Sequence, residues 1–436
     1  MADSLRIGVA GLGTVGASLV RILQQRRDEL AITCGRAIEI IAVSARDASR
    51  DRGIDLTGIT WFDTPEQMAR EADIDVFVEL VGGASGQAEV SVRAALSRAI
   101  HVVTANKALL AKHGVELATI AEEKSVLLNF EAAVAGGIPI IKALRESLTG
   151  NRVTRLFGIM NGTCNYILTK MEKEGLSFEA CLKEAQRLGY AEADPSFDIE
   201  GNDTAHKLAI LTTLAFGTKI AADDISLEGI SNISIEDIQA AADLGYRIKL
   251  LGVALNTGNG IVQRVHPTMV PVNSAVAQVD GVTNAVAIEA DILGELLMVG
   301  PGAGGNATAS AVLGDIADIA KSRPGAQQVP VLGRPALSLV VYRAAEEVVH
   351  DGGFFIRLTV KDQAGVFASI ATCMATNDIS LESIVQHAQG HVEGAPQTII
   401  LVTHGATEKQ VRKAVDEIQS ADYLFSQPQV IRIEDD

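Results

Sequence analysis

The apolar positions of the chain fall into two alternating periods. Residues 5–10 are a short apolar run of strand length, and over 17–30 the apolar residues return at helical spacing. Further strand-like runs stand at 38–45, 74–81, 101–104 and 126–130, with helical stretches at 87–99 and from Lys107 onward. Such regular alternation predicts a parallel sheet covered by helices on both faces. The pattern then becomes mixed. A strand at 153–159 is followed by helices at 166–174, 178–188, 203–216 and 235–245, then by strands at 248–254, 261–265, 285–289 and 296–299 and a small-residue helix at 307–320. From residue 353 the runs FFIRLTV, FASIATCMATNDI, SLESIVQ, QTIILVT, TEKQVRKAVDEI and QVIRIED read as strand, helix, strand, strand, helix, strand, the ferredoxin-like βαββαβ order.

Helix 203–216 is apolar on nearly all sides and is therefore expected to be buried. It carries one lysine, Lys207, and ends the acid-rich stretch YAEADPSFDIEGNDTAHK, residues 190–207, with Glu192, Asp194, Asp198, Glu200 and Asp203. The apolar wall disfavours charge on Lys207, while Asp203, one turn earlier on the same face, favours it. Acids followed by one buried lysine suggest a site. A solvated acidic loop with an ordinary helix ion pair is the alternative reading on composition alone. His206 points elsewhere by helical spacing, which suits a core or interface role.

Strand 5–10 runs directly into Gly11-Leu12-Gly13-Thr14-Val15-Gly16 and then a helix, the context in which GxGxxG holds a dinucleotide. Gly11 permits the tight turn, Gly13 the approach of a pyrophosphate and Gly16 close helix–strand packing, with helix amides facing the phosphates. Ser44-Ala45-Arg46-Asp47 stands where ribose specificity is read. Arg46 would pair with a 2′-phosphate and favours NADP, while Asp47 leaves NAD open. Thr104-Ala105-Asn106-Lys107 closes another strand, so Thr104 and Lys107 fall near the cofactor; a solvated helix-end lysine is the plain alternative. In MNGTCNY, residues 160–166, Asn-Gly supplies a turn and Thr163 a helix cap, with amides suited to a carboxylate. Cys164 has no histidine in local reach and reads as a small buried side chain. NFEAAVAGGIPII offers Glu131 and neighbouring carbonyls to a hard monovalent cation, although a structural turn explains the spacing equally well. The turn Pro301-Gly302-Ala303-Gly304-Gly305 either approaches a ligand or acts as a hinge.

Charge narrows the partners. With 54 acids against 37 Lys and Arg the net charge is −17, which repels polyanions, so nucleic acid is not expected. Cys34, Cys164, Cys181 and Cys373 lie apart, without zinc or redox spacing, and suit a reducing cytoplasm. No apolar run of about 18 residues suggests a membrane span, and MADSLRIGVAG suggests no signal or transit peptide. The expected class is α/β in three parts. They are a Rossmann-type dinucleotide-binding domain over 1–134 with 302–345 packing back near it, an α+β substrate and dimerisation domain over 135–301, and a ferredoxin-like unit over 353–436.

Taken together, GLGTVG, TANK, EAAVAGGIPI, MNGTCNY and above all YAEADP followed by DIEGNDTAHK resemble the homoserine dehydrogenases that carry a carboxyl-terminal ACT domain, over the whole chain. The resemblance implies reversible reduction of L-aspartate 4-semialdehyde to L-homoserine with NADPH or NADH, in threonine, methionine and isoleucine biosynthesis. It implies Lys207 as proton donor and acceptor and Asp203 as its partner. Substrate contacts are implied for Gly162, Thr163, Tyr190, Asp198 and Glu192, the last facing the ammonium. Cofactor contacts are implied for Gly13, Thr14, Val15, Arg46, Lys107 and Gly302, and a sodium site for Glu131 with the carbonyls of Val134, Gly136 and Ile138. The ACT module implies threonine feedback, expected at Asp362, Gly365 and Val366, or dimerisation alone, in a homodimer or homotetramer. Whether Lys207 or Lys107 supplies the proton stays open, the buried helix favouring Lys207. Two rivals remain: a catalytically silent nicotinamide sensor, which leaves the set Glu192, Asp203 and Lys207 unexplained, and a reductase of another small carbonyl, which MNGTCNY and the acids oppose.

Overall fold

The computed structural model describes residues 4–322, 329–345, 349–350, 352–386 and 395–434; parts of the linker near 346–353 and of the expected C-terminal unit lie outside them. Its first sheet is parallel and is built from β1 Leu5–Ala10, β2 Ile38–Ser44, β3 Thr60–Phe62, β4 Val76–Glu79, β5 His101–Thr104 and β6 Leu128–Asn129. Their order is β3-β2-β1-β4-β5-β6, the arrangement of a dinucleotide-binding sheet. The order reverses between β1 and β4, and the crevice beyond their carboxyl ends opens there. One helix was expected over 17–30. Two are found, Thr14–Gln25 and Arg27–Cys34, because the polar run QQRRDE interrupts the apolar stripe.

The second sheet is mixed. It contains β7 Val153–Ile159, β8 Ser226–Leu227, β9 Tyr246–Asn256, β10 Ile261–Pro271, β11 Thr283–Ala290 and β12 Gly294–Pro301, in the order β12-β11-β7-β9-β10 with β8 also against β10. β10 runs past residue 265, where the apolar pattern stops. His266 and Thr268 are buried, and the Thr268 hydroxyl lies 2.8 Å from His266 Nδ1, so polar side chains continue the strand. Helix Asn202–Phe216 crosses this sheet, and its Leu208 and Leu211 share one apolar cluster with Leu156 of β7 and with Leu110 and Leu117 of helix Lys107–Glu123. Helix Gly305–Lys321 returns to the first sheet and sets Ala309, Val312 and Ile316 against Ile7, Val9 and Leu19.

The remaining strands are β13 Val349–His350, β14 Phe354–Lys361, β15 Leu381–Gln386, β16 Pro396–Thr403, β17 Ala406–Thr407 and β18 Gln429–Ile433. With helices Val366–Thr376 and Glu408–Gln419, β14, β15, β16 and β18 form a βαββαβ unit whose strand order is β18-β14-β16-β15, while β13 and β17 pair with each other. The unit does not stand apart. β18 pairs in parallel with β10 through Thr268–Arg432 and Met269–Ile433, which joins both parts into one sheet of ten strands among the described residues. Arg432 is buried across this seam and holds Glu228 and Glu408, each at 3.0 Å.

Candidate active site

The acid–lysine cluster gathers where elements begin or end, with Lys207 one turn into its helix. The Asn202–Phe216 helix starts after Gly201, whose φ of +87° ends the preceding turn, and it buries Asp203 and Lys207 one turn apart. Lys207 Nζ lies 2.7 Å from Asp203 Oδ2 and donates to the Met160 carbonyl at 2.5 Å. Lys107 opens its own helix just past the carboxyl end of β5, and its Nζ stands 3.1 Å from Asp203 Oδ1. The two lysines between which the sequence left the proton open share one carboxylate. Burial pushes the Asp203 carboxyl up, but the Lys207 and Lys107 ammoniums and hydrogen bonds from Lys207 and Asn161 outweigh it and hold it well below the usual range.

The turn 160–162 knits the acids together. Thr163 is not the cap expected for the following helix, which starts at Gly162. Asn161 is the cap: its Oδ1 accepts from Cys164 N at 2.8 Å, and its Nδ2 donates to Asp198 Oδ1 and Asp203 Oδ2, both at 2.8 Å. Thr163 donates instead to the Tyr190 carbonyl at 2.7 Å, and the Tyr190 ring meets Tyr166 edge-on at 5.0 Å. Burial and the nearby Asp203 charge raise the Asp198 carboxyl above its ordinary value. Cys164 is fully buried, its thiol pushed well up by burial and by Asp198 and Asp203, which suits packing and not nucleophilic attack. Glu192 sits exposed at the rim, its carbonyl accepting from Gln186. Asp194 closes a local turn on Ser196, Glu200 accepts from Ser231, and His206 packs its ring on Phe197 at 5.4 Å.

The cofactor turn fits a dinucleotide. Gly11 has φ +97°, and a Cβ there would stand 2.4 Å from Leu80 O; a Cβ on Gly16 would stand 2.0 Å from Gly11 O. Gly13 faces open space, and no side chain caps and no acid occupies the first turn from Thr14 and Val15, so the amides are free for phosphate. Arg46 is exposed at the end of β2, and Arg52, unmarked in the sequence, donates to the Leu12 carbonyl at 3.0 Å. Thr104 donates to the buried Glu79 at 2.6 Å, while Glu79 also accepts from the amides of Val81 and Gly82. Glu79 went unnoticed because an acid inside an apolar strand carries no periodic signal. Gly302 O accepts from Gly136 N at 2.9 Å, which ties the glycine turn to the segment after Glu131.

Glu131 is buried with its carboxylate on the amides of Ile141 and Lys142, each at 2.9 Å; burial raises it against these bonds. Val134 and Ile138 are buried beside it, and the Ile138 carbonyl accepts from Ile140 N at 2.8 Å. Among the described residues no three His, Cys, Asp or Glu side chains gather as metal ligands, so a cation here would depend on carbonyls. At the far end of the chain Gly365, with φ +93°, precedes the helix that begins at the buried Val366, and Asp362 N bonds the Ala395 carbonyl.

A phosphate-ready glycine turn on a parallel sheet, opposite two ammoniums on one buried carboxylate, defines a dinucleotide-dependent dehydrogenase or reductase. A family model described as homoserine dehydrogenase matches residues 139–317, and one described as homoserine dehydrogenase, NAD binding domain, matches residues 11–131. The homoserine dehydrogenase of Neisseria gonorrhoeae is 44% identical over 99% of this chain and 98% of its own length, and that of Pseudomonas aeruginosa 41% over 99% of each. A crystal structure of a homoserine dehydrogenase from Thiobacillus denitrificans covers 99% of this chain and 98% of its own at 41% identity and a TM-score of 0.92. A hyperthermophilic archaeal homoserine dehydrogenase in complex with NADPH covers 72% of this chain and 96% of its own, at 28% identity and a TM-score of 0.61. The chain belongs to the homoserine dehydrogenase family. It is an oxidoreductase with a nicotinamide cofactor, and homoserine and aspartate semialdehyde are its substrates.

Proposed function

We propose that Lys207 gives a proton to the alkoxide that forms as aspartate semialdehyde becomes homoserine, and takes it back in the reverse direction. The observation that carries this reading is the single carboxylate of Asp203 held by Lys207 on one oxygen and Lys107 on the other. Hydride transfer is the chemistry the cofactor supplies when bound. The protein's part is to hold the carbonyl, stabilise developing negative charge and move one proton. Lys207 side-chain exposure is 11% against 32% for Lys107, so Lys207 acts where water is excluded and Lys107 belongs to the cofactor side. Asp198, Gly162, Thr163 and Tyr190 form the substrate floor, with Glu192 closing on the ammonium from the rim; the Asn161 bridge to both acids supports this grouping.

The same proposal extends to finer features, each with its own support. Gly11, Gly13, Thr14, Val15, Gly16, Thr104 and Gly302 contact the cofactor, and the guanidinium of Arg46 at the ribose end supports NADP, as does the NADPH in the archaeal relative. Sodium at Glu131 with the carbonyls of Val134, Gly136 and Ile138 is supported by Ala135, whose φ of +46° twists that turn, and by a buried carboxylate that a cation would relieve. The C-terminal unit is an ACT domain that senses threonine at Asp362, Gly365 and Val366, a reading its strand order supports. Exposed Ile292, Leu293 and Val299 beside and on β12 support a homo-oligomer, and four free cysteines support the cytoplasm. The functional parts divide as 1–134 with 302–345, 135–301, and 353–436.

The test follows cofactor absorbance with L-homoserine and NADP or NAD in parallel, with and without threonine. Homoserine-dependent reduction, faster with NADP and slowed by threonine, is expected. Turnover that survives in Lys207→Ala would remove Lys207 from the chemistry.

A further inference from the structure

Asn284, on β11, is only 1% exposed, and both polar atoms of its side chain lack a partner. A buried polar group left so costs about 1–3 kcal/mol, which calls for a physical reason. Side chains alternate along a strand, and Asn284 shares the face of Val286 and Ile288, which pack with Met160 and Leu208, and not that of Ala285. Val286 lies opposite Gly158 and Gly158 opposite Gly252, where a Cβ would stand 2.9 Å from Thr204 Cγ2, so this is the face covered by the helix that carries Lys207. The substrate turn runs alongside, since a Cβ on Gly162 would stand 2.7 Å from Val282 O. Over the amide lies Gly302, so close that a Cβ there would come within 2.1 Å of Asn284 Cγ. The amide is therefore sealed beneath the glycine turn 301–305, where the substrate turn meets the cofactor domain, and Gly304 in that turn has φ +119°.

Chemistry selects the missing partner. A side-chain amide presents a donor and an acceptor side by side in one plane. The substrate's carboxylate and carbonyl only accept, its ammonium only donates, and the homoserine hydroxyl gives and takes at a single atom. Taken singly, each leaves part of Asn284 unpaired, and the substrate's ammonium, directed to Glu192 and the acids of the substrate floor, is not free to join its carboxylate at this amide. The carboxamide of a nicotinamide ring offers the complementary pair.

We propose that Asn284 pairs with the cofactor's carboxamide, the glycine turn at Gly302 lifting to admit it, and so sets which face of the ring meets the substrate. The inference rests on the nicotinamide chemistry of the family and is independent of which lysine moves the proton. It explains why residue 302 must lack a side chain: any Cβ would displace the amide.

The test is a set of fluorescence and calorimetric titrations that need no turnover. The wild type is titrated with its preferred dinucleotide, with the 3-acetylpyridine analogue, which lacks the amide donor, and with ADP-ribose or its 2′-phosphate, which lacks the ring. The analogue should bind about tenfold more weakly than the natural cofactor, the effect of one unsatisfied buried group. Asn284→Ala and Asn284→Ser should lose that discrimination while binding the ring-less fragment as the wild type does. A wild type that does not distinguish the analogue overturns the proposal without any variant. Variants that keep the discrimination, or lose the fragment equally, overturn it too and make Asn284 a support of the Gly302 turn. Failure of the reaction itself would instead show as no homoserine-dependent absorbance change in the wild type.

Discussion

Two ammoniums on one carboxylate make the Asp203 site unequal under substitution. Removing Lys207 leaves Asp203 with Lys107 and Asn161, so the fold keeps a partnered buried acid while the proposed proton donor is gone. Turnover of Lys207→Ala should fall by about 10²- to 10⁴-fold, the range for loss of a general acid, with dinucleotide affinity unchanged in a fluorescence titration. A parallel loss of cofactor binding would mark a collapsed site instead. A second buried acid gives a pH signature. Asp315, in the helix Gly305–Lys321, accepts from Glu131 N at 2.9 Å, and burial pushes its carboxyl up from 3.8 to about 8, with Glu131 adding to it and Arg145 opposing. The folded chain holds a proton there that the unfolded chain releases. The contribution to stability is therefore full below the unfolded value and is lost as pH rises through about 8. Asp315→Asn keeps an acceptor for that amide and carries no charge. Its stability relative to wild type, from urea melts at successive pH values, should climb between about pH 4 and about 8 and then level off. A constant difference would show that Asp315 does not titrate in this interval.

At the scale of elements, the seam between β10 and β18 sets the most exacting test. Arg432 is 5% exposed and bonds Glu228 and Glu408, and Glu408 in turn holds Arg264 at 3.1 Å. Arg432→Ala leaves these acids short of a cation inside the sheet, and about 3 kcal/mol of stability should go, the low end for breaking a buried pair because Glu228 is partly exposed. Urea unfolding measures it, and a change below about 1 kcal/mol would make the seam an ordinary surface bridge. This seam was invisible in the sequence. The βαββαβ order could be read from its apolar runs, but no periodicity announces that Arg432 and Ile433 pair with Thr268 and Met269. Local signals served where the chain folds on near neighbours: GLGTVG between strand and helix, β5 and β7 at their full lengths, and Asp203 one turn before Lys207. They failed where a polar side chain finds its partner across the fold. Asn161 looked like a turn residue and is a cap that bridges two acids; Glu79 and Asp315 looked like ordinary strand and helix positions, and Asn284 fell just outside the expected strand 285–289.

Across the whole molecule, these contacts make a continuous path from the C-terminal unit to the acid–lysine cluster. Arg432 of β18 holds Glu228, whose amide bonds the Val265 carbonyl of β10 at 2.8 Å. Two residues on, Ile230 N bonds the Ile199 carbonyl at 2.9 Å and Ser231 holds Glu200. Gly201 then packs on Val265, where a Cβ would stand 2.9 Å from Cγ1, and the helix that begins at Asn202 carries Asp203. A shift of β18 against β10 therefore bears on the end of the acid-rich stretch and not on the glycine turn at residues 11–16. Glu228→Ala cuts the path at its charged link without touching the acids or lysines of the site. Its KM for homoserine should rise by roughly 2- to 30-fold, the scale of coupling energies of 0.5–2 kcal/mol, while dinucleotide affinity stays at the wild-type value. If threonine acts through the C-terminal unit, Glu228→Ala should also lose most of its inhibition while threonine still raises the melting temperature by binding. Lys413→Ala, on an exposed ion pair with Glu417 in the same unit, is the control that should change neither. A folded Glu228→Ala enzyme with unchanged homoserine KM would disconnect the C-terminal unit from the site, and an equal shift in cofactor affinity would mean that the whole chain had loosened and not one path within it.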